Sequence, residues 1–408
     1  MDYRSEATYK ETRLPVELAS TLVADAYRSH EYFAEERDQL FGRSWVTVGT
    51  VSDVADPAQV IVRNVAGRSV IVTRNKEGEL RAFLNVCRHR GSRLVSEDCT
   101  LRAGRIRCPY HAWAYDLDGH CIGTPLFEGS DIPDDMRAAF DMGDVKAFDR
   151  ADYPLLDVSV AQWGPLILVS LERDPIPLPE WLGDLPDRLA GYELASWEVQ
   201  ASKDYDIGAN WKLIAENFME YYHLPWVHPE LAKVSRIQDH YRYQGNGMYT
   251  GMTTTPISGD NPAWLALPPY SGVTGADLNA GRFMLLFPNA TLSVLPNHMF
   301  LMILDPIAPD RTVERTYLMT HPDTMEGPGA EDALSDLLGF WDDVNLEDIE
   351  IVENVQAGIS TPEYQGGRMC YRFEEPVHRF QNMVIDRLVG VDRVPEGDEV
   401  DQVPMFGE

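Results

Sequence analysis

The spacing of apolar positions changes character along the chain. From 16 to 45, VELASTLVADAYRSHEYFAEERDQLFGRSW sets apolar and charged residues at helical intervals and predicts helix. From Trp45 the apolar runs become short and β-branched: WVTVGTV, QVIVRNV, SVIVTRN and LRAFLNV, parted by Asp-Pro, Gly and Asn-Lys-Glu-Gly turns. Such runs between turn residues predict a small antiparallel β domain. It continues through GRIRCPYHAWAYDLDGHCIG, where Asp118-Gly119 marks a hairpin turn. More strand character at 152–171 precedes DPIPLPEWLGDLP, a proline-rich connection.

The second half is mixed. A helix is expected after Asn210, strands at 282–287, 290–295, 299–304 and 314–320, and a long helix from about 332 to 357. Pro and Gly around 256–281 predict a long loop of the kind that covers a site. The acidic end, EGDEVDQVPMFGE, reads as a mobile terminus. These shifts divide the chain into a helical segment at 1–44 that packs on the last domain, a β domain at 45–155 and an α+β domain at 156–408.

Composition adds one unusual fact. The 408 residues carry a formal net charge of -30. That excess weighs against nucleic acid or an anionic membrane as partner, and favours solubility and a cationic substrate. No apolar run approaches the ~18 residues of a spanning helix. The opening MDYRSEATYKETRLP does not read as a secretory signal, and five cysteines, an odd number, suit a reducing compartment. A cytoplasmic protein is expected.

Two constellations carry chemistry. In the β domain, Cys87-Arg-His89 is followed by Cys108-Pro-Tyr-His111, so each of two loops offers one thiolate and one imidazole. Such a set fits a structural zinc or a [2Fe–2S] cluster with one histidine-ligated iron. The second constellation is NWKLIAENFMEYYHLPWVHPE, from 210 to 230. On a continuous helix Glu216, Glu220 and His223 would share a face, and Pro225 would end the helix so that His228 folds back beside His223. Two neighbouring imidazoles with carboxylates can bind a transition metal. In the late helix, Trp341, Val344, Ile351, Val352 and Val355 lie within about 60° of Asp348, while the other acids lie about 100° or more away. Asp348 alone is therefore expected to point inward, where a carboxylate needs a cation or a hydrogen-bond partner.

The segments CRHRGSRL, CPYHAWAYDLDG, NWKLIAENFMEYYHLPWVH and LEDIEIVENVQAG resemble the α subunit of Rieske non-haem iron oxygenases over nearly the full chain. The resemblance implies an α+β fold, with a Rieske antiparallel β domain inserted in a helix-grip-like catalytic domain whose antiparallel sheet is covered by helices. It implies a [2Fe–2S] Rieske cluster on Cys87, His89, Cys108 and His111, and a mononuclear non-haem Fe(II) on His223, His228 and Asp348. Glu220 would bridge the iron site to a cluster across a subunit boundary, and Asn217 would lie near the iron. Most relatives have Asp at the bridging position; Glu there resembles the branch acting on glycine betaine, carnitine or stachydrine.

No Gly-rich dinucleotide fingerprint occurs here, so NAD(P)H electrons would come through a separate reductase, with or without a ferredoxin. A homotrimer or a multiple of it is implied. The expected function is monooxygenation, hydroxylating or N-demethylating a small quaternary ammonium or methylamine compound with O2. Tyr221, Tyr222, Trp226, Tyr241, Tyr243 and Tyr249 are candidates to box the cation. Ring hydroxylation or O-demethylation of an aromatic acid, and a Rieske electron carrier without enzymatic activity, remain as alternatives.

Overall fold

The computed structural model describes residues 1–128, 131–140, 143–233, 235–255 and 267–398. It divides into one compact unit at Val48–Pro175 and another formed by Met1–Thr47 with the chain from Ile176 onward.

In the first unit, β1 (Val46–Thr50) is the strand on which the chain enters. The strands β2 (Gln59–Val65), β3 (Arg68–Arg74) and β4 (Leu80–Leu84) form a meander, with β5 (Cys99–Thr100) at its other edge. A second sheet joins β6 (Ile106–Arg107), β7 (Ala114–Tyr115) and β8 (Cys121–Gly123), the last pair turning at the expected Asp118-Gly119. The unit runs past the expected boundary at 155. Leu84 N–H donates to the Leu156 carbonyl at 2.8 Å and Val158 N–H to the Ala82 carbonyl at 2.9 Å. Beyond them, the hairpin β9 (Ser159–Trp163) and β10 (Leu166–Ser170) completes a third sheet with β1. Val60, Ile71, Phe83, Ile106, Trp113 and Tyr115 make a core that also holds Cys87 and Cys108.

The second unit is built on one seven-stranded antiparallel sheet. Its strands are β11 (Glu198–Ile207), β12 (His240–Arg242), β13 (Tyr249–Thr254), β14 (Gly281–Leu286), β15 (Ala290–Val294), β16 (Met299–Ala308) and β17 (Arg311–Thr320), in the order β11-β17-β16-β15-β14-β13-β12. Because side chains alternate along a strand, Phe283, Phe300 and Leu318 share the face that packs on Leu337 and Trp341 of the long helix Ala330–Ile359. A second helix, Glu375–Val389, is buried along most of its length.

The N-terminal segment departs from expectation. Residues 16–24 are not helical, and the helical turns are Asp25–Arg28, His30–Glu35 and Glu36–Leu40. The reason is long-range bonding of its amides: Thr21 N–H donates to the Gly367 carbonyl and Leu22 N–H to the side-chain Oε1 of Gln381. The proline-rich stretch contains short helices at Leu178–Leu182 and Leu185–Arg188. Of the loop expected at 256–281, residues 256–266 lie outside the described residues, as does most of the acidic tail; 267–280 is irregular apart from a turn at Gly275–Asn279. Among the described residues no helix is long and apolar enough to cross a membrane.

Candidate functional site

The loops at Cys87 and Cys108 are built alike. Each closes a tight turn, Gly91 N–H to the Cys87 carbonyl at 3.0 Å and Ala112 N–H to the Cys108 carbonyl at 3.1 Å. The closing residues sit in the left-handed region, Gly91 at φ 72° and Ala112 at φ 59°. Asn85 pins the first loop: its Oδ1 accepts from the Leu94 and Val95 amides at 3.0 Å, and its Nδ2 donates to the Val95 carbonyl at 2.7 Å. Both cysteines are buried, and the His89 and His111 rings lie 4.7 Å apart.

Burial works against ionising Cys108, but the amides of His111 and Tyr110, together with Cys87 and Ser92, outweigh it and hold the thiol below its ordinary pKa. Burial lowers the pKa of His89, and its buried Nδ1 has no hydrogen-bond partner among the described residues. Two thiols and two mutually close imidazoles, one nitrogen of them without a partner, are the donors a mixed Cys/His cluster requires. Sequence reading missed the surroundings: Trp113 stacks on His89 with ring centroids at 4.9 Å, and the Tyr115 hydroxyl lies 3.4 Å from Cys87 Sγ.

In the second unit, His223, His228 and Asp348 come together, each offering one ligand atom within 4.8 Å of the others. The local route differs from the expected single helix. Asn210 caps a helix at Trp211–Met219 by accepting from the Lys212 amide at 3.0 Å. Glu220 is already extended, at φ -115° and ψ 164°. A second short helix, Leu224–Val227, starts after His223, and Pro225 sits in its first turn, where its missing N–H costs nothing. Pro225 therefore begins a helix where it was expected to end one, and the brief return brings His228 beside His223, with ring centroids at 5.3 Å.

Glu216 does not share the histidine face. It is buried under the Tyr27 hydroxyl, 2.8 Å away, and Gln381 Nε2, at 2.9 Å. Burial pushes its pKa up to about 7. Glu220 still reaches His223, but through the turn: its Oε1 pairs with His223 Nδ1 and its Oε2 accepts from the Tyr222 and His223 amides. Burial lowers the His223 pKa, while Glu220 and Asp348 outweigh it and leave it raised.

Asp348 is half-buried, on the stripe of the long helix formed by Leu337, Trp341, Asn345, Val352 and Gln356. Val355, expected beside it, is 41% exposed, so the buried stripe is narrower than an apolar count suggests and includes two amides. Asp348 Oδ1 lies 2.9 Å from His228 Nε2 and 3.6 Å from His223 Nε2, and accepts from Asn217 Nδ2 at 2.6 Å. Two imidazole nitrogens and a carboxylate oxygen are the set that suits ferrous iron with open positions. Sequence reading placed Glu347 on the wet side; its Oε2 nevertheless lies 2.6 Å from His228 Nδ1.

The six candidate aromatics do not form one cage; Tyr241 lines a cavity with Tyr243, Arg242 and Arg282. Tyr249 is buried with its hydroxyl on Asp184, Tyr243 packs between Arg188 and Arg282, and Trp226 is 80% exposed. Tyr221 stacks on His240, and Tyr222 on Phe373. The apolar side chains packed around the helices that bear the triad are instead Phe218, Leu231 and Phe283, next to Phe300 and Trp341.

The profile of the Rieske [2Fe-2S] domain matches residues 44–136, and that of the ring hydroxylating alpha subunit catalytic domain matches 194–390. The chain belongs to the Rieske oxygenase α-subunit family. As a Rieske oxygenase it is an oxidoreductase whose cofactors are a [2Fe–2S] cluster and a mononuclear iron, supplied with electrons by a separate partner. It is 29% identical to the glycine betaine monooxygenase oxygenase subunit of Chromohalobacter salexigens, over 89% of this chain and 84% of that one. It is 26% identical to the carnitine monooxygenase oxygenase subunit of Acinetobacter pittii, over 83% and 85%. The fold matches a quaternary ammonium Rieske monooxygenase crystallised with an inhibitor, at a TM-score of 0.76 and 24% identity, covering 93% of this chain and 98% of that one.

Proposed function

We propose that this Rieske oxygenase is a monooxygenase that hydroxylates or N-demethylates a small quaternary ammonium or methylamine compound, with His223, His228 and Asp348 holding the iron. The observation that carries the reading is the convergence of those three side chains in a chain that also bears the two cysteine–histidine loops. An electron carrier needs no second donor set. The iron supplies, when bound, the O2 chemistry that side chains cannot.

The protein's own part is placement. Glu220 accepts from His223 Nδ1, which leaves Nε2 free to ligate. Asn217 donates to Asp348 Oδ1 and turns the carboxylate toward the histidines. Phe218, Leu231 and Phe283, partly buried against the cores that hold Trp341 and Leu224, offer apolar and aromatic surface that suits a trimethylammonium head. On the β unit, Cys87, His89, Cys108 and His111 hold the cluster. Relatives named for glycine betaine, carnitine and choline favour the quaternary ammonium class over aromatic acids, and the formal charge of -30 favours a cation in the surrounding field.

Glu220 is then the bridge toward a cluster in a neighbouring subunit, in a homotrimer or a multiple of it. A cytoplasmic setting accompanies this reading, with an odd number of cysteines and none of the five in a disulfide. The test is turnover with a compatible reductase and NADH over glycine betaine, carnitine, choline and a set of aromatic acids, scored by product. Demethylated or hydroxylated ammonium products are expected. Turnover confined to aromatic acids would contradict the substrate assignment.

A further inference from the structure

Resting on the reading of His223, His228 and Asp348 as iron ligands, we infer that Glu347 is the positioning residue for His228. The carboxylate lies 2.6 Å from His228 Nδ1, while Asp348, the next residue in the same helix, lies 2.9 Å from Nε2. Neighbouring residues of one helix turn thus grip the imidazole at both nitrogens. An ionised carboxylate only accepts, so Nδ1 carries the proton facing Glu347, and the neutral ring that binds a metal offers it the Nε2 lone pair on the Asp348 side. The ring is 2% exposed, so no water substitutes freely at Nδ1, whereas Glu347 itself is 50% exposed.

The arrangement parallels Glu220 at His223 Nδ1, but the two carboxylates are supplied differently. Glu220 comes from the same turn as its histidine and is held by two backbone amides. Glu347 comes from the long helix and so ties the placement of His228 to the helix that provides Asp348. The third ligand and the orientation of the second are set by one rigid element. Removing Glu347 frees the ring to rotate or to change tautomer without touching a ligand atom.

The experiment loads purified protein anaerobically with Fe(II) or Co(II) and follows metal release to a chelator. Glu347→Ala should release the metal about 10–100-fold faster than wild type. Glu347→Gln, whose amide oxygen still accepts from Nδ1–H without the charge, should lie between them. Asp343→Ala, at an exposed position of the same helix, should match wild type. The melting temperature of the metal-free protein should not change with Glu347→Ala; if it falls, the Gln variant carries the comparison. Release at the wild-type rate from both Glu347 variants overturns the inference while leaving the ligand reading intact. Normal metal loading by His228→Ala and Asp348→Ala would overturn the ligand reading, and this inference with it.

Discussion

The cysteine–histidine loops take their shape from the backbone: each is a short turn closed by an amide-to-carbonyl bond, and all four donor residues fall between 87 and 111. The His223/His228/Asp348 site takes its shape from side chains contributed by separate elements, with Glu220, Asn217 and Glu347 each bonded to one of the three. A backbone-built site survives loss of distant packing but is sensitive to local φ. A site assembled from side chains on separate elements depends on whatever holds those elements, here the buried Lys212–Glu36 pair, Glu216 under Tyr27, and the amides Asn345 and Gln356.

The comparison breaks most visibly if the two sites are not separable. Cys108→Ser should abolish the visible absorption of the cluster and stop turnover, while metal binding at the triad persists; loss of both metals together would contradict independent sites. Next in size is the anchor of the 211–219 helix. Lys212 and Glu36 are fully buried and paired at 2.6 Å, so Lys212→Met leaves the buried carboxylate without its cation, with only Trp211 Nε1 donating to it, and should cost about 3–5 kcal/mol. Denaturant unfolding measures this, and the cluster spectrum of the folded variant should match wild type.

Glu216 supplies a pH signature. Burial raises its pKa from 4.5 to about 7, so the folded state binds the proton more tightly than the unfolded one. Its contribution is fully present below pH 4.5 and is lost as pH rises through about 7, on the order of 3 kcal/mol in all. Glu216→Gln should therefore gain stability relative to wild type as pH is raised across that window; parallel pH profiles would refute the assignment. The smallest effect is local to the β unit. At Gly91, φ 72° with open space around an added Cβ, Gly91→Ala meets only the left-handed backbone cost, about 1 kcal/mol. A thermal melt of the holoprotein resolves it.

How legible each region was in the sequence follows from the same contrast. The pairing of the two cysteine–histidine loops was readable because spacing within a loop is a sequence property, and β2, β3 and β4 because β-branched runs between turns leave little else. Asp348 was readable from helical period alone. Glu347 was not, because its partner lies 119 residues away and its own exposure looks ordinary. Nor was the end of the helix at Met219, since FMEYY contains no glycine or proline to signal a stop. The edge strand β11, EVQASKDYDI, is polar and pairs only with β17, so it lacks an apolar alternation. The helix Glu375–Val389 buries Arg379, Gln381, Asp386 and Arg387 as well as its apolar residues, so burial there does not follow side-chain polarity.

The central claim is that one chain holds two centres acting in sequence, the cluster as electron store and the triad as the place of reaction. A single-turnover experiment tests it most directly. Wild type and Asp348→Ala are reduced chemically without oxygen, then mixed with O2 and glycine betaine, and product is counted against cluster oxidised. Wild type is expected to form product as its cluster oxidises, and Asp348→Ala to reduce its cluster equally well yet form none. Product from Asp348→Ala at the wild-type yield would contradict the account.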